Sequence, residues 1–102
     1  MKEYDLYLPL TDNGGRPFAA RMFRSVQSEL LSQFGGVTFF PQPNEGLWQA
    51  CGVTYHDEIV IYRVITPHTA KARRFFRSFK VKLMKDFDQL DLLIVERDIE
   101  TL

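Results

Sequence analysis

Apolar and polar positions alternate at the start of the chain. Tyr4, Leu6, Leu8 and Leu10 fall on one side of a period of two, with Asp5, Tyr7 and Pro9 on the other, which predicts a first strand. Thr11-Asp12-Asn13-Gly14-Gly15 then supplies turn residues, and Pro17 suits the first turn of a helix, where its missing N–H costs nothing. The period changes next. Ala19, Phe23, Val26, Leu30 and Phe34 recur at spacings of three and four, which predicts a helix over residues 18–34 closed by Gly35-Gly36. Val37-Thr38-Phe39-Phe40 reads as a second strand. The segment 41–56, with Pro41, Pro43, Asn44 and Gly46, reads as an insert: an irregular loop with a short extra strand near Leu47–Ala50, broken by Gly52.

Ile59 to Ile65 is the strongest strand of the chain, opened by Asp57. Thr66-Pro67 reads as an N-cap and first helical residue. In the helix predicted to follow, Ala72, Phe75, Phe76, Phe79, Leu83 and Phe87 share one face. Leu92–Val95 predicts a last strand, followed by a charged tail, 96–102, that frays or adds a short extension. The order β-α-β-β-α-β in one domain of 102 residues is that of a ferredoxin-like α+β fold. Right-handed crossovers then place both helices on one face of an antiparallel sheet.

The other sheet face poses a difficulty. Val60, Tyr62 and Val64 point one way and Ile59, Ile61, Arg63 and Ile65 the other, and both sets are mostly apolar. A sheet with one wet face should alternate apolar with polar residues. The expectation is a homodimer joined through the face away from the helices, which carries Ile59, Ile61 and Ile65 or else Val60, Tyr62 and Val64. The competing possibilities are a ligand or the insert folding back over the sheet. Were Arg63 at such an interface, it would need a carboxylate partner such as Asp5 or Glu96.

Charge changes the picture through its distribution. Thirteen bases balance thirteen acids, yet seven bases (Lys71, Arg73, Arg74, Arg77, Lys80, Lys82 and Lys85) lie on the second helix, and six acids follow from Asp86 to Glu100. Arg73, Arg74, Arg77 and Lys80 are therefore candidates for holding a polyanion. Against nucleic acid stands the absence of the Gly-, Phe- and Lys-rich strand motif with which ferredoxin-like RNA binders stack bases. The favoured reading is a solvated helix face.

The pattern Phe34-Gly35-Gly36-Val37-Thr38, then Gly46-Leu47-Trp48, then Asp57-Glu58 before an apolar strand resembles small bacterial proteins of uncharacterised function with an FGG-x-T…G-x-W signature. The resemblance spans about residues 4–66. It implies the ferredoxin-like fold and supplies no catalytic residues.

Candidate chemistry is sparse. A single cysteine, Cys51, rules out an internal disulfide and a thiolate metal cluster, and points to a reducing compartment. The N-terminus is broken by Glu3 and Asp5 and is no signal peptide; no apolar run spans a membrane. The expectation is a cytoplasmic protein. Trp48, Cys51, Tyr55, His56, Asp57 and Glu58 cluster in eleven residues. Cys51 and His56 could be nucleophile and base, and His56-Asp57-Glu58 could offer metal ligands. Five-residue spacing on a strand does not bring Cys51 and His56 together, so Cys51 is expected not to be a nucleophile, and neither metal nor cofactor is expected. An enzyme would instead need a pocket between helices and sheet served by Trp48, Tyr55, His56, Arg63 and His68. Asp12–Arg16 lacks the Lys-Ser/Thr pair of a phosphate loop and is expected to be a turn. The favoured function is a homodimeric binding or assembly module, ahead of polyanion binding and of a small dimeric enzyme.

Overall fold

A computed structural model describes residues 1–67 and 69–102. The elements run β1 (Lys2–Pro9), α1 (Ala20–Phe34), β2 (Thr38–Ala50), β3 (Val53–Thr66), α2 (Thr69–Asp86) and β4 (Ile94–Asp98). The four strands form one antiparallel sheet in the order β2-β3-β1-β4. This α+β architecture is compatible with a ferredoxin-like fold. No helix among the described residues is long and apolar enough to cross a membrane.

Alternation on the central strands decides which face is covered. Tyr4, Leu6 and Leu8 of β1 pair with Val64, Tyr62 and Val60 of β3, and all six are buried. Both helices reach this face. Gln27 of α1 donates its side-chain amide to the Tyr62 hydroxyl at 3.2 Å, and Phe76 of α2 stacks on Tyr4 with ring centroids 4.3 Å apart. Val26 and Leu30 of α1, with Ala72, Phe76, Phe79 and Leu83 of α2, complete a packed core. The opposite face, carrying Ile59, Ile61, Arg63 and Ile65, has no helix on it.

Several boundaries differ from the sequence reading. Helix α1 starts at Ala20 rather than residue 18, because Pro17 bridges Thr11 and Phe18 N–H donates to the Leu10 carbonyl. Its C-terminus is as expected: Gly35, at φ 76°, returns its N–H to the Leu31 carbonyl, and the left-handed conformation is what glycine adopts without strain. Residues 41–56 are not a loop lying over the sheet. They lengthen β2 and β3 into one hairpin whose outer part extends past the partners of β1. Pro41 and Pro43 are accommodated because β2 is an edge strand with a register shift between Phe40 and Asn44, so their missing N–H groups break no ladder. The hairpin turns at Cys51 and Gly52, both at positive φ (52° and 78°). Thr66 ends β3, Pro67 is a bend, and α2 begins at Thr69. Of the two outcomes open to the charged tail, its first part takes the extension: Glu96, Arg97 and Asp98 pair with β1 and are held by side-chain contacts to Tyr4, Glu3 and Lys2.

Candidate functional site

The open sheet face is built in rows across the strands. One row holds Phe40, Ile61 and Tyr7, and the Tyr7 N–H extends it by donating to the Leu93 carbonyl. The next holds Thr38, Arg63, Asp5 and Val95, and the one after Ile65, Glu3 and Arg97. Period-two alternation places four charged side chains together here. Arg63 donates to both Asp5 carboxylate oxygens, at 2.8 and 3.0 Å. Arg97 donates to Asp5 and to Glu3, each at 2.7 Å. Glu3 also lies 3.3 Å from Arg63. Asp5 is 2 % exposed although no helix covers it; the two guanidinium groups and the neighbouring strands seal it. Burial pushes its carboxyl pKa up, but hydrogen bonds from Arg63 and Arg97, with their charges, outweigh this and hold it below the ordinary range. Arg63 further lies over the Phe40 ring, 5.0 Å from its centroid. Of the two carboxylates suggested by sequence for Arg63, it is Asp5 that meets it.

Glu96 serves a second cluster. It accepts from Tyr4 Oη at 2.6 Å and from Arg73 Nε and Nη2 at 3.0 and 2.7 Å. These bonds, Arg73 first, draw the Glu96 pKa down to about 2, while burial and the Glu96 carboxylate push the Tyr4 phenol up to about 12. The signs follow from linkage. The Glu96 contribution to stability is complete above its unfolded value of about 4.5 and is lost as pH falls toward about 2. The Tyr4 contribution is complete below 10 and is lost as pH rises toward about 12. Titrating the four tyrosines by ultraviolet absorbance should show phenols ionising late, with Tyr4→Phe removing one of them; complete ionisation around pH 10 in the folded protein would contradict this assignment.

The basic helix is partly consumed by the acids that follow it. Arg73 is bonded to Glu96, Lys80 lies 2.9 Å from Asp91, and Lys82 lies 2.8 Å from Asp86. Arg74 and Arg77 make no ion pair among the described residues. The folded chain thus brings the two halves of its sequence dipole together, which leaves less uncompensated positive charge than the helix alone implies.

The residues of the Trp48–Glu58 cluster separate by face. Trp48 pairs with Tyr55, and their rings stack at 4.4 Å on the open side, where Trp48 Nε1 donates to Asp57 at 2.7 Å. His56 lies on the opposite side of the hairpin, against Glu45 at 3.2 Å. Arg63 shares the side of Trp48 and is committed to Asp5. The four residues proposed for one pocket do not converge: His56 faces away from its strand neighbour Tyr55, and Arg63, on the Tyr55 side, pairs with Thr38 toward the other end of β3. His68, the other histidine considered, lies outside the described residues. Cys51 sits exposed in the hairpin turn, five residues from His56. No group of three or more potential metal ligands occurs among the described residues. Asp12 Oδ1 accepts from the Gly14 and Arg16 N–H groups, both at 2.9 Å, so that segment is a side-chain-stabilised turn.

Two clefts remain. One, of about 430 Å³, lies between α1 and α2 over Val26, Phe79 and Leu83, with Arg21, Ser25, Lys82 and Asp86 lining it. The other, of about 570 Å³, lies on the open sheet side where the hairpin and residues 89–93 wall off Tyr7, Pro9 and Ile59. The sequence did not single out residues 89–93 for this wall, because it depends on the turn after α2, where Gln89 N–H caps the Met84 carbonyl.

No family model matches the chain. No curated protein matches it either. Among solved structures, a phage SAM lyase in complex with S-methyl-5'-thioadenosine is similar in fold, with a TM-score of 0.69 over 95 % of this chain and 80 % of that one, at 12 % identity.

Proposed function

We propose that this chain, as a ferredoxin-like fold, is a binding and assembly module that works as a homodimer, two copies meeting through the open sheet faces. The observation that carries the reading is the make-up of that face. Phe40 and Ile65 are 37 % and 45 % exposed and Leu93 is 56 % exposed, on the side opposite the helices. Ile59 and Ile61, beside them, are only half-buried. Soluble monomers rarely leave a large contiguous apolar patch in water. Each such side chain contributes about 1.5–3 kcal/mol when it passes from exposed to buried. The charges on the face favour a second copy over a charged partner. Glu3 and Asp5 are balanced by Arg63 and Arg97, and the four are already bonded to each other. A neutral, satisfied set can be covered without leaving an unpaired ion, whereas a strongly charged partner would find none of these four free to pair with.

The other readings have less support. Polyanion binding through Arg73, Arg74, Arg77 and Lys80 loses two of its four cations to Glu96 and Asp91. A helix–sheet pocket for catalysis meets a packed layer, with Tyr62 and Leu8 at 0 % exposure and Leu6 at 1 %. The phage lyase holds a thioadenosine in a similar fold, but a shared fold does not fix chemistry.

Sedimentation equilibrium at micromolar concentration is expected to give twice the chain mass. Ile61→Asp, which sets a carboxylate in the middle row of the face, should give the single-chain mass with unchanged far-ultraviolet circular dichroism. Wild-type protein that stays at one chain mass up to about 100 μM, beyond the roughly −8 kcal/mol of a micromolar association, would reject the proposal.

A further inference from the structure

The cleft at the Pro9–Ile59 end of the open face has a composition that selects a ligand. Its floor and walls are apolar and aromatic, from Tyr7, Ile59, Leu93 and Trp48. Trp48 both stacks on Tyr55 and lines the cleft, whereas Tyr55 does not line it. Gly46 faces this side beside Asp57 and has no side chain to narrow the opening. The polar groups lining it are Asp57, Asp91, Asn13 and Gln89, and neither Lys nor Arg is among them. Asp91 is partnered by Lys80 and the Leu92 N–H. Asp57 is different. Its only hydrogen bond among the described residues is that from Trp48 Nε1 to Oδ2, and no base pairs with it.

We propose that this cleft binds a flat aromatic or heteroaromatic small molecule that carries a protonated amine or another strong N–H donor and no anionic group. The ring lies against Trp48, and the donor meets the Asp57 oxygen that the indole N–H leaves free. The indole bond fixes that carboxylate before the ligand arrives, so little ordering cost falls on binding. A cation over the indole or the Tyr7 ring adds the attraction of the ring quadrupole, and the absence of a lining base disfavours phosphates and carboxylates. A volume near 570 Å³ is within the range of small-molecule sites. The cleft shares Ile59 and Leu93 with the proposed dimer face, so a second copy would compete with the ligand there. Tryptamine is therefore titrated into the single-chain Ile61→Asp variant as well as wild type, which keeps the two proposals apart.

Tryptamine and indole-3-acetate make a matched test, one ring with opposite charges. Because Trp48 is the only tryptophan, a ¹⁵N-labelled sample gives one protein indole resonance, and it reports the Trp48–Asp57 bond directly. Titrating tryptamine is expected to shift that resonance saturably, with indole-3-acetate at least tenfold weaker. Asp57→Asn, which keeps an acceptor for the indole but presents an amide donor to the ligand, should weaken tryptamine at least tenfold with the hairpin amide resonances retained. Trp48→Phe, followed by the Tyr7 and Leu93 backbone amides, checks the ring contact and should also weaken binding. No saturable shift up to millimolar tryptamine in wild type and Ile61→Asp alike, equal binding of the two probes, or unchanged affinity in Asp57→Asn would each overturn the proposal.

Discussion

Asp5→Ala should cost about 1.5–3 kcal/mol of unfolding free energy, the range for losing hydrogen bonds to a charged group, since the partly exposed Arg63 and Arg97 regain some water. Asp5 is 2 % exposed and accepts three hydrogen bonds from two arginines. Without it, Arg63 and Arg97 converge on a site with Glu3 as the remaining carboxylate. Domains of this size have only about 5–15 kcal/mol in total, so the urea midpoint should fall by a large fraction at unchanged slope. The double variant Asp5→Leu/Arg63→Met should recover much of the loss, since apolar replacement of a buried pair is often neutral. Acid unfolding gives an independent readout. The Asp5 pKa is lower in the folded chain, so its contribution is full above the unfolded value and disappears as pH falls through the folded one. The acid limb of stability against pH should therefore be shallower in Asp5→Ala than in wild type. A midpoint shift below about 1 kcal/mol, with an unchanged acid limb, would mean that the cluster is ornamental to stability.

The same cluster shows where sequence reasoning stops. Alternation in β3 announced two apolar faces without saying which of them the helices cover, and it is the face bearing Ile59, Ile61 and Ile65 that has none. Composition could not say that Asp5, placed on β1 by the same alternation, would be buried there. That follows from the register Asp5↔Arg63 and Asp5↔Val95, two pairings between segments far apart in sequence. The helices were legible because their stripes are long and their glycine terminus is chemically specific. Residues 41–56 were not, because Pro41, Pro43 and Gly46 read as loop locally, while pairing with β3 and an edge position make a strand of them. The acids of β4 left open whether the tail frays or extends the sheet, and it is their pairing with β1, Arg73 and Tyr4 that orders them. Gln89, Leu90 and Asp91 took no part in any site reading, yet with Leu92 and Leu93 they form a wall of the cleft beside Trp48. Each of these misses is a long-range contact overriding a local signal.

The second large effect is expected at the point where α2 meets the sheet. Phe76 is 4 % exposed and is stacked on Tyr4 at 4.3 Å and on Phe34 at 5.3 Å. It joins three elements: β1 through Tyr4, the end of α1 through Phe34, and its own helix. Phe76→Ala removes a ring that these neighbours cannot replace without moving, because Tyr4 is tied to Glu96 and Phe34 also packs on Phe75. Loss of transfer energy and an unfilled cavity together cost about 3–5 kcal/mol for a buried phenylalanine. At about 4–8 °C per kcal/mol for a domain near 100 residues, the Tm should drop by more than about 12 °C. Val81 is the control. It lies on the same helix at 69 % exposure, in the middle of the basic arc, so Val81→Ala should stay within about 0.5 kcal/mol of wild type. Both variants are to be compared at one protein concentration, since for the proposed dimer unfolding would depend on it. Release of Tyr4 should also show chemically. With Phe76 gone, water reaches the phenol, and its ionisation should move from about 12 back toward 10. A Phe76→Ala protein as stable as Val81→Ala would show that α2 is not anchored through this ring stack.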